Sequence, residues 1–98
     1  MAVVVIMKWQ GVTLAQYDEA RGMVNWEGDT PPGALFHVAA HDGDSLRVVD
    51  LWESPEQFQA FVEGRLAPAT AKIGIGTQPD VEIFPAHATF TPGYTARG

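Results

Sequence analysis

His37, Asp50 and Trp52 have both the side-chain chemistry and the spacing to act together. Two β-runs, Ala34 to His41 and Leu46 to Trp52, flank the turn sequence His41-Asp42-Gly43-Asp44-Ser45, the pattern of a tight hairpin. With Gly43-Asp44 as a two-residue loop, strand pairing sets His37 directly opposite Asp50, within reach of an imidazole–carboxylate contact. Such a contact orients one ring nitrogen and leaves the other to take a proton. Two uses follow. One is a hydrogen bond that satisfies a half-buried carboxylate; the other is catalysis, with His37 as general base and Asp50 orienting it. Side chains alternate along a strand, so Leu46, Val48, Asp50 and Trp52 share one face while Arg47, Val49, Leu51 and Glu53 share the other. Trp52 on the His37 face is either a pocket wall or a core residue packed on Phe58 and Phe61. Trp9, Tyr17, Trp26 and Phe58 are the other side chains that could line a pocket there.

Other chemistries find less support. The chain has no Cys, which removes disulfides, thiolate catalysis and sulfur-ligated metal centres. A metal would need His and carboxylate ligands, and His37 and His41, four apart on a strand, stand about 13 Å from one another. No metal and no cofactor is expected. Gly74-Ile75-Gly76 lacks the strand-before, helix-after setting of a dinucleotide fingerprint and reads as a helix stop. Twelve acidic against six basic residues give a formal charge of −6, the wrong sign for nucleic acid or an anionic membrane surface. The apolar opening Ala2 to Met7 is far shorter than the ~20 residues of a membrane span and has no basic segment before it, so a cytoplasmic protein is expected.

The elements that must carry these groups read clearly. Val3 to Trp9 is almost continuously apolar, as in a central strand buried on both faces. Thr13 and Gln16 form a capping-box pattern that opens a helix through Leu14, Tyr17, Ala20, Met23 and Val24. Asp29-Thr30-Pro31-Pro32-Gly33 forms a rigid loop before the hairpin. Ser54, Pro55 and Gln57 then start a second helix, with Phe58, Phe61, Val62, Arg65, Leu66 and Ala69 on one stripe. Pro68 predicts a kink or restart near Leu66-Ala67, and Gly74 and Gly76 a stop. A last strand, Val81 to His87, carries Pro85 and therefore belongs at an edge or a bulge. The order β-α-β-β-α-β predicts an α+β ferredoxin-like sandwich over residues 1–90, with strands one and three central and both helices on one face. Residues 91–98 are read as a C-terminal arm. The uncovered sheet face bears Val49 and Leu51, so a homodimer through that face is expected.

The segments Asp50-Leu51-Trp52-Glu53-Ser54-Pro55-Glu56-Gln57-Phe58 with Phe61, Arg65-Leu66-Ala67-Pro68-Ala69, Pro32-Gly33-Ala34-Leu35-Phe36-His37 and Val81-Glu82-Ile83-Phe84-Pro85-Ala86-His87 together resemble the antibiotic-biosynthesis-monooxygenase-like dimeric α/β barrels. That superfamily includes cofactor-free oxygenases, haem-degrading enzymes, muconolactone-type isomerases and members of no known activity. The resemblance implies a dimeric barrel with a small, largely apolar pocket for an aromatic or polyketide-like molecule. It implies a cofactor-independent monooxygenase or isomerase, or else a non-catalytic ligand-binding or stress-related homodimer. Haem-degrading relatives add a His on the second helix, where this chain has Phe61, Val62 and Glu63; haem binding without degradation stays open.

Overall fold

The computed structural model describes residues 1–92. Strand β1 (Val3–Gln10) leads through the Gly11 turn to helix α1 (Leu14–Val24), and the hairpin strands β2 (Ala34–His41) and β3 (Ser45–Trp52) follow. Helix α2 (Pro55–Phe61) runs through a π-helical turn, Val62–Leu66, into α3 (Ala67–Ile73), and β4 (Asp80–Pro85) closes the sheet. All neighbouring strands are antiparallel in the order β2-β3-β1-β4. This is the expected ferredoxin-like α+β fold, with strands one and three central and Pro85 on an edge strand.

The caps form where the side chains can make them. Thr13 accepts from the Gln16 amide at 3.1 Å while the Gln16 side chain accepts from the Thr13 amide at 3.0 Å, a complete capping box. At α2 the box is only half made. Ser54 Oγ accepts from the Gln57 amide, but the Gln57 side chain turns to the Ser54 hydroxyl, 2.9 Å away, and lies against Gly33. Gly33 has φ of +87°, and a Cβ there would come within 2.5 Å of Gln57, so both the backbone and the packing require glycine. The anticipated irregularity before Pro68 is the π-turn: it absorbs the hydrogen bond that proline cannot donate and lets one continuous helical segment carry on into α3. Gly74 then caps α3 in the left-handed region at φ +90°.

The core lies between the sheet and the helices. Val3, Val5, Met7 and Trp9 of β1 meet Leu46, Val48 and Trp52 of β3, under Phe58, Phe61 and Ala69 of the second helical segment. Three expectations need correction here. β1 is central but covered on one face only, with Ile6 38% exposed, because none of the described residues lies over the other sheet face. On α1, Leu14 and Met23 point to solvent, and the buried stripe is Ala20 and Val24 with Tyr17 at its edge. β4 ends at Pro85, short of His87. The arm expected from Thr91 lies outside the described residues from position 93 onward.

Candidate active site

The hairpin turn sets the register on which the site depends. The Asp42 carboxylate accepts the amides of Asp44 and Ser45 at 2.9 and 2.7 Å, and these bonds, with Arg47 3.0 Å away, hold its carboxyl down at about 2 from the usual 3.8. Asp42 and Ser45 close the turn, Gly43 takes φ of +102°, and the pairing continues to His37 opposite Asp50. A bulge between Ala34 and Phe36 comes only after that pair, so the register at His37 is undisturbed.

His37 Nδ1 lies 2.6 Å from Asp50 Oδ1, and the Trp52 indole donates to Asp50 Oδ2 at 3.1 Å. Asp50 is buried, so both carboxylate oxygens keep partners where water does not reach them. With Nδ1–H donating to the carboxylate, the lone pair on Nε2 faces the Tyr17 hydroxyl at 2.7 Å, which donates to it. The result is a file of three groups, Tyr17–His37–Asp50, fastened at its buried end by Trp52. Trp26 packs at a tilt on the His37 ring, centroids 4.6 Å apart. Burial pushes the Tyr17 phenol above its ordinary 10, with Arg21 opposing the shift.

His41, on the same strand face, serves a different end. Its Nε2–H donates to the Val12 carbonyl at 2.8 Å and its Nδ1 accepts from the Gly43 amide at 3.1 Å, so it ties the hairpin to the chain before α1. Among the described residues no three His or carboxylate groups converge as metal ligands.

Tyr17, His37 and Asp50 line a cavity of about 220 Å³ between the sheet and the helices. Trp9, Tyr17, Trp26 and Trp52 line it, together with Phe61 and Leu66. Among the described residues that line it, none is Lys, Arg or Glu. Phe58 lies elsewhere than expected: its ring meets Trp52 edge-on at 5.7 Å and faces a separate cleft beneath β4. Trp52 proves to be wall and core at once, since it lines the cavity and also packs on Phe61 at 5.2 Å.

Comparison with solved structures places this architecture. A protein of unknown function from Nitrosomonas europaea superposes with a TM-score of 0.70 at 18% identity, over 93% of this chain and 94% of that one. SnoaB, a cofactor-independent oxygenase from Streptomyces nogalater, gives 0.64 at 13%, over 90% and 94%. A monooxygenase from the gene ActVA-Orf6 of Streptomyces coelicolor, in complex with nanaomycin D, gives 0.61 at 14%, over 93% and 92%. The chain has the ferredoxin-like fold of the antibiotic-biosynthesis-monooxygenase-like proteins. At these identities the likeness establishes the fold. Neither a family model nor a curated protein matches the sequence.

Two parts of this antibiotic-biosynthesis-monooxygenase-like fold escaped the sequence reading. Tyr17 read as a lining residue, yet it holds the far nitrogen of His37; its place on the stripe with Ala20 and Val24, across from β2, was the available signal. Arg65 read as part of an apolar stripe, yet its guanidinium donates to the carbonyls of Val24 and Asp29 at 2.6 and 2.7 Å. These bonds tether the turn that carries Trp26.

The raised Tyr17 phenol makes a testable difference. A group whose pKa rises on folding contributes stability that is complete below pH 10 and is lost as the pH climbs through the folded value. Absorbance titration at alkaline pH is expected to show one of the two tyrosines ionising late, and Tyr17→Phe to remove that phase. A late phase that survives Tyr17→Phe would assign the shift to the wrong tyrosine.

Proposed function

We propose that the protein binds a small, neutral, planar aromatic molecule and takes a proton from its hydroxyl or enolisable carbon, as the first step of cofactor-independent oxygenation or isomerisation. The carrying observation is the Tyr17–His37–Asp50 file lining an apolar cavity. As a ligand hydroxyl gives its proton to the Tyr17 oxygen, the tyrosine proton passes to His37 Nε2, leaving a ligand anion and an imidazolium held by Asp50. In an oxygenation, dioxygen would be the second substrate. His37 is the base, Asp50 orients it, and Trp52, Trp9, Tyr17 and Trp26 shape the pocket. An apolar cavity of about 150 Å³ holds benzene, so 220 Å³ suits one or two rings and is too small for haem. With no Lys or Arg in the lining and the buried Asp50 carboxylate nearby, a carboxylate or phosphate would be desolvated without a permanent counter-charge, which disfavours anionic lactone acids.

The cytoplasmic homodimer belongs to the same reading. Strand register puts Val4, Ile6, Phe36, Val38, Val49, Leu51 and Phe84 on the sheet face opposite the helices, and Val38 and Phe84 are about half exposed. A second copy laid on that apolar face would close a barrel. Among the described residues no helix is long and apolar enough to cross a membrane.

A thermal-shift screen of the purified protein against phenols, quinones, lactones, flavins and haem tests the reading. Neutral phenols are expected to stabilise by about 2.7 kcal/mol at a hundredfold excess over the dissociation constant, and carboxylated analogues not to. Equal shifts with phenols and their carboxylated analogues, or a haem-coloured protein, would contradict it. If phenols bind and no reaction can be found with or without dioxygen, the protein is a non-catalytic ligand binder.

A further inference from the structure

A second cavity, about 410 Å³, lies beneath β4 on the other side of Trp9. Among the described residues no helix covers the inner face of this edge strand: Val81 and Ile83 point toward the helical layer yet remain 43% and 41% exposed. Phe58, Val62 and Leu66 form its opposite wall, and Thr77 and Gln78 its polar rim. The two cavities share Met7, Trp9, Leu66, Thr70 and Ile75 as a common wall. Trp9 is fixed in that wall, since its indole N–H donates to the Thr77 carbonyl at 2.9 Å. Ile75 is held less firmly: its amide donates to the Thr70 carbonyl at 3.0 Å, but its half-buried side chain packs on the core with no hydrogen bond to fix its rotamer.

We propose that the second cavity is an extension site for the same ligand, which therefore has two parts. A hydroxyl-bearing ring sits at Tyr17 and His37, and a neutral, apolar substituent passes Ile75 to lie against Phe58, Val62, Val81 and Ile83. The inference rests on the reading of the first cavity as a phenol site. Its physical ground is that the first cavity alone is smaller than the roughly 300 Å³ from which ligand sites usually begin, whereas a larger apolar space stands one side chain away.

Dissociation constants of phenol and of 4-alkylphenols with chains of increasing length, measured on the full protein, test this. Affinity is expected to rise about fourfold per methylene until the chamber is filled, as for transfer of CH₂ out of water. Ile83→Trp and Val81→Trp, on the exposed edge strand, are expected to abolish the dependence on chain length while phenol itself binds as before. No gain with chain length, or a gain that survives both variants, overturns the proposal. A gain seen only after removal of residues 93–98 also overturns it, by assigning the chamber to the chain's own end. If phenol binds equally to wild type and His37→Gln while chains still tighten binding, the first-cavity reading fails and the chamber stands.

Discussion

Trp52→Ala is expected to lower the unfolding free energy by about 3–5 kcal/mol, the range for removal of a large buried aromatic, and so to lower the melting temperature by some tens of degrees. The cause is double. The indole fills the space between Phe58 and Phe61, and its N–H satisfies Asp50 Oδ2. Trp52→Phe keeps an aromatic ring in the core but removes the N–H and part of the indole, so a smaller loss, at least the about 1–3 kcal/mol of one buried acceptor left bare, is expected. Chemical denaturation of both variants measures this. A cost for Trp52→Phe near zero would mean that water reaches Asp50 Oδ2, and the buried end of the file would then be unfastened.

His37→Ala should behave in the opposite way. The imidazole is partly exposed and adds little to the core, so removing it bares Asp50 Oδ1 and the Tyr17 hydroxyl, both next to a cavity from which water can enter. The melting temperature is expected to fall by only a few degrees. Turnover of a phenolic substrate is expected to fall by about 10²–10⁴-fold, the usual worth of a positioned general base. The assignment of His37 as base fails if the variant mainly unfolds while its remaining folded fraction turns over normally; the His37–Asp50 pair is then a core contact.

How much of this was legible in the residues depends on how local each signal is. Gly43 and Asp42 specify the hairpin within a few positions, and a hairpin's register follows from its loop length, so the His37–Asp50 pair could be read directly. The alternation in β1 and β3 marked which face carries Asp50 and Trp52, and Pro85 placed β4 at an edge. Tyr17 was only half legible: its helix face could be read, but its reach to His37 depends on how α1 lies across the sheet. The π-turn needed more than the presence of Pro68, since a kink and a fully bonded π-turn answer the same missing N–H. Arg65 was misread because a long cationic side chain beside apolar neighbours looks like stripe when its targets, two backbone carbonyls, leave no mark in side-chain patterns. The second cavity reflects how little of the described chain lies over β4, a tertiary fact.

The most direct measurement is the absorbance of bound 4-nitrophenol as a function of pH, because its anion is coloured and its neutral form is not. If Tyr17, His37 and Asp50 take the ligand's proton, the anion band persists in the complex at a pH below that at which the free phenol is protonated. Tyr17→Phe and His37→Gln then each return the bound ligand to the neutral form. A bound phenol that stays neutral at a higher pH than the free one, with no change in either variant, would show an apolar pocket that binds without a base.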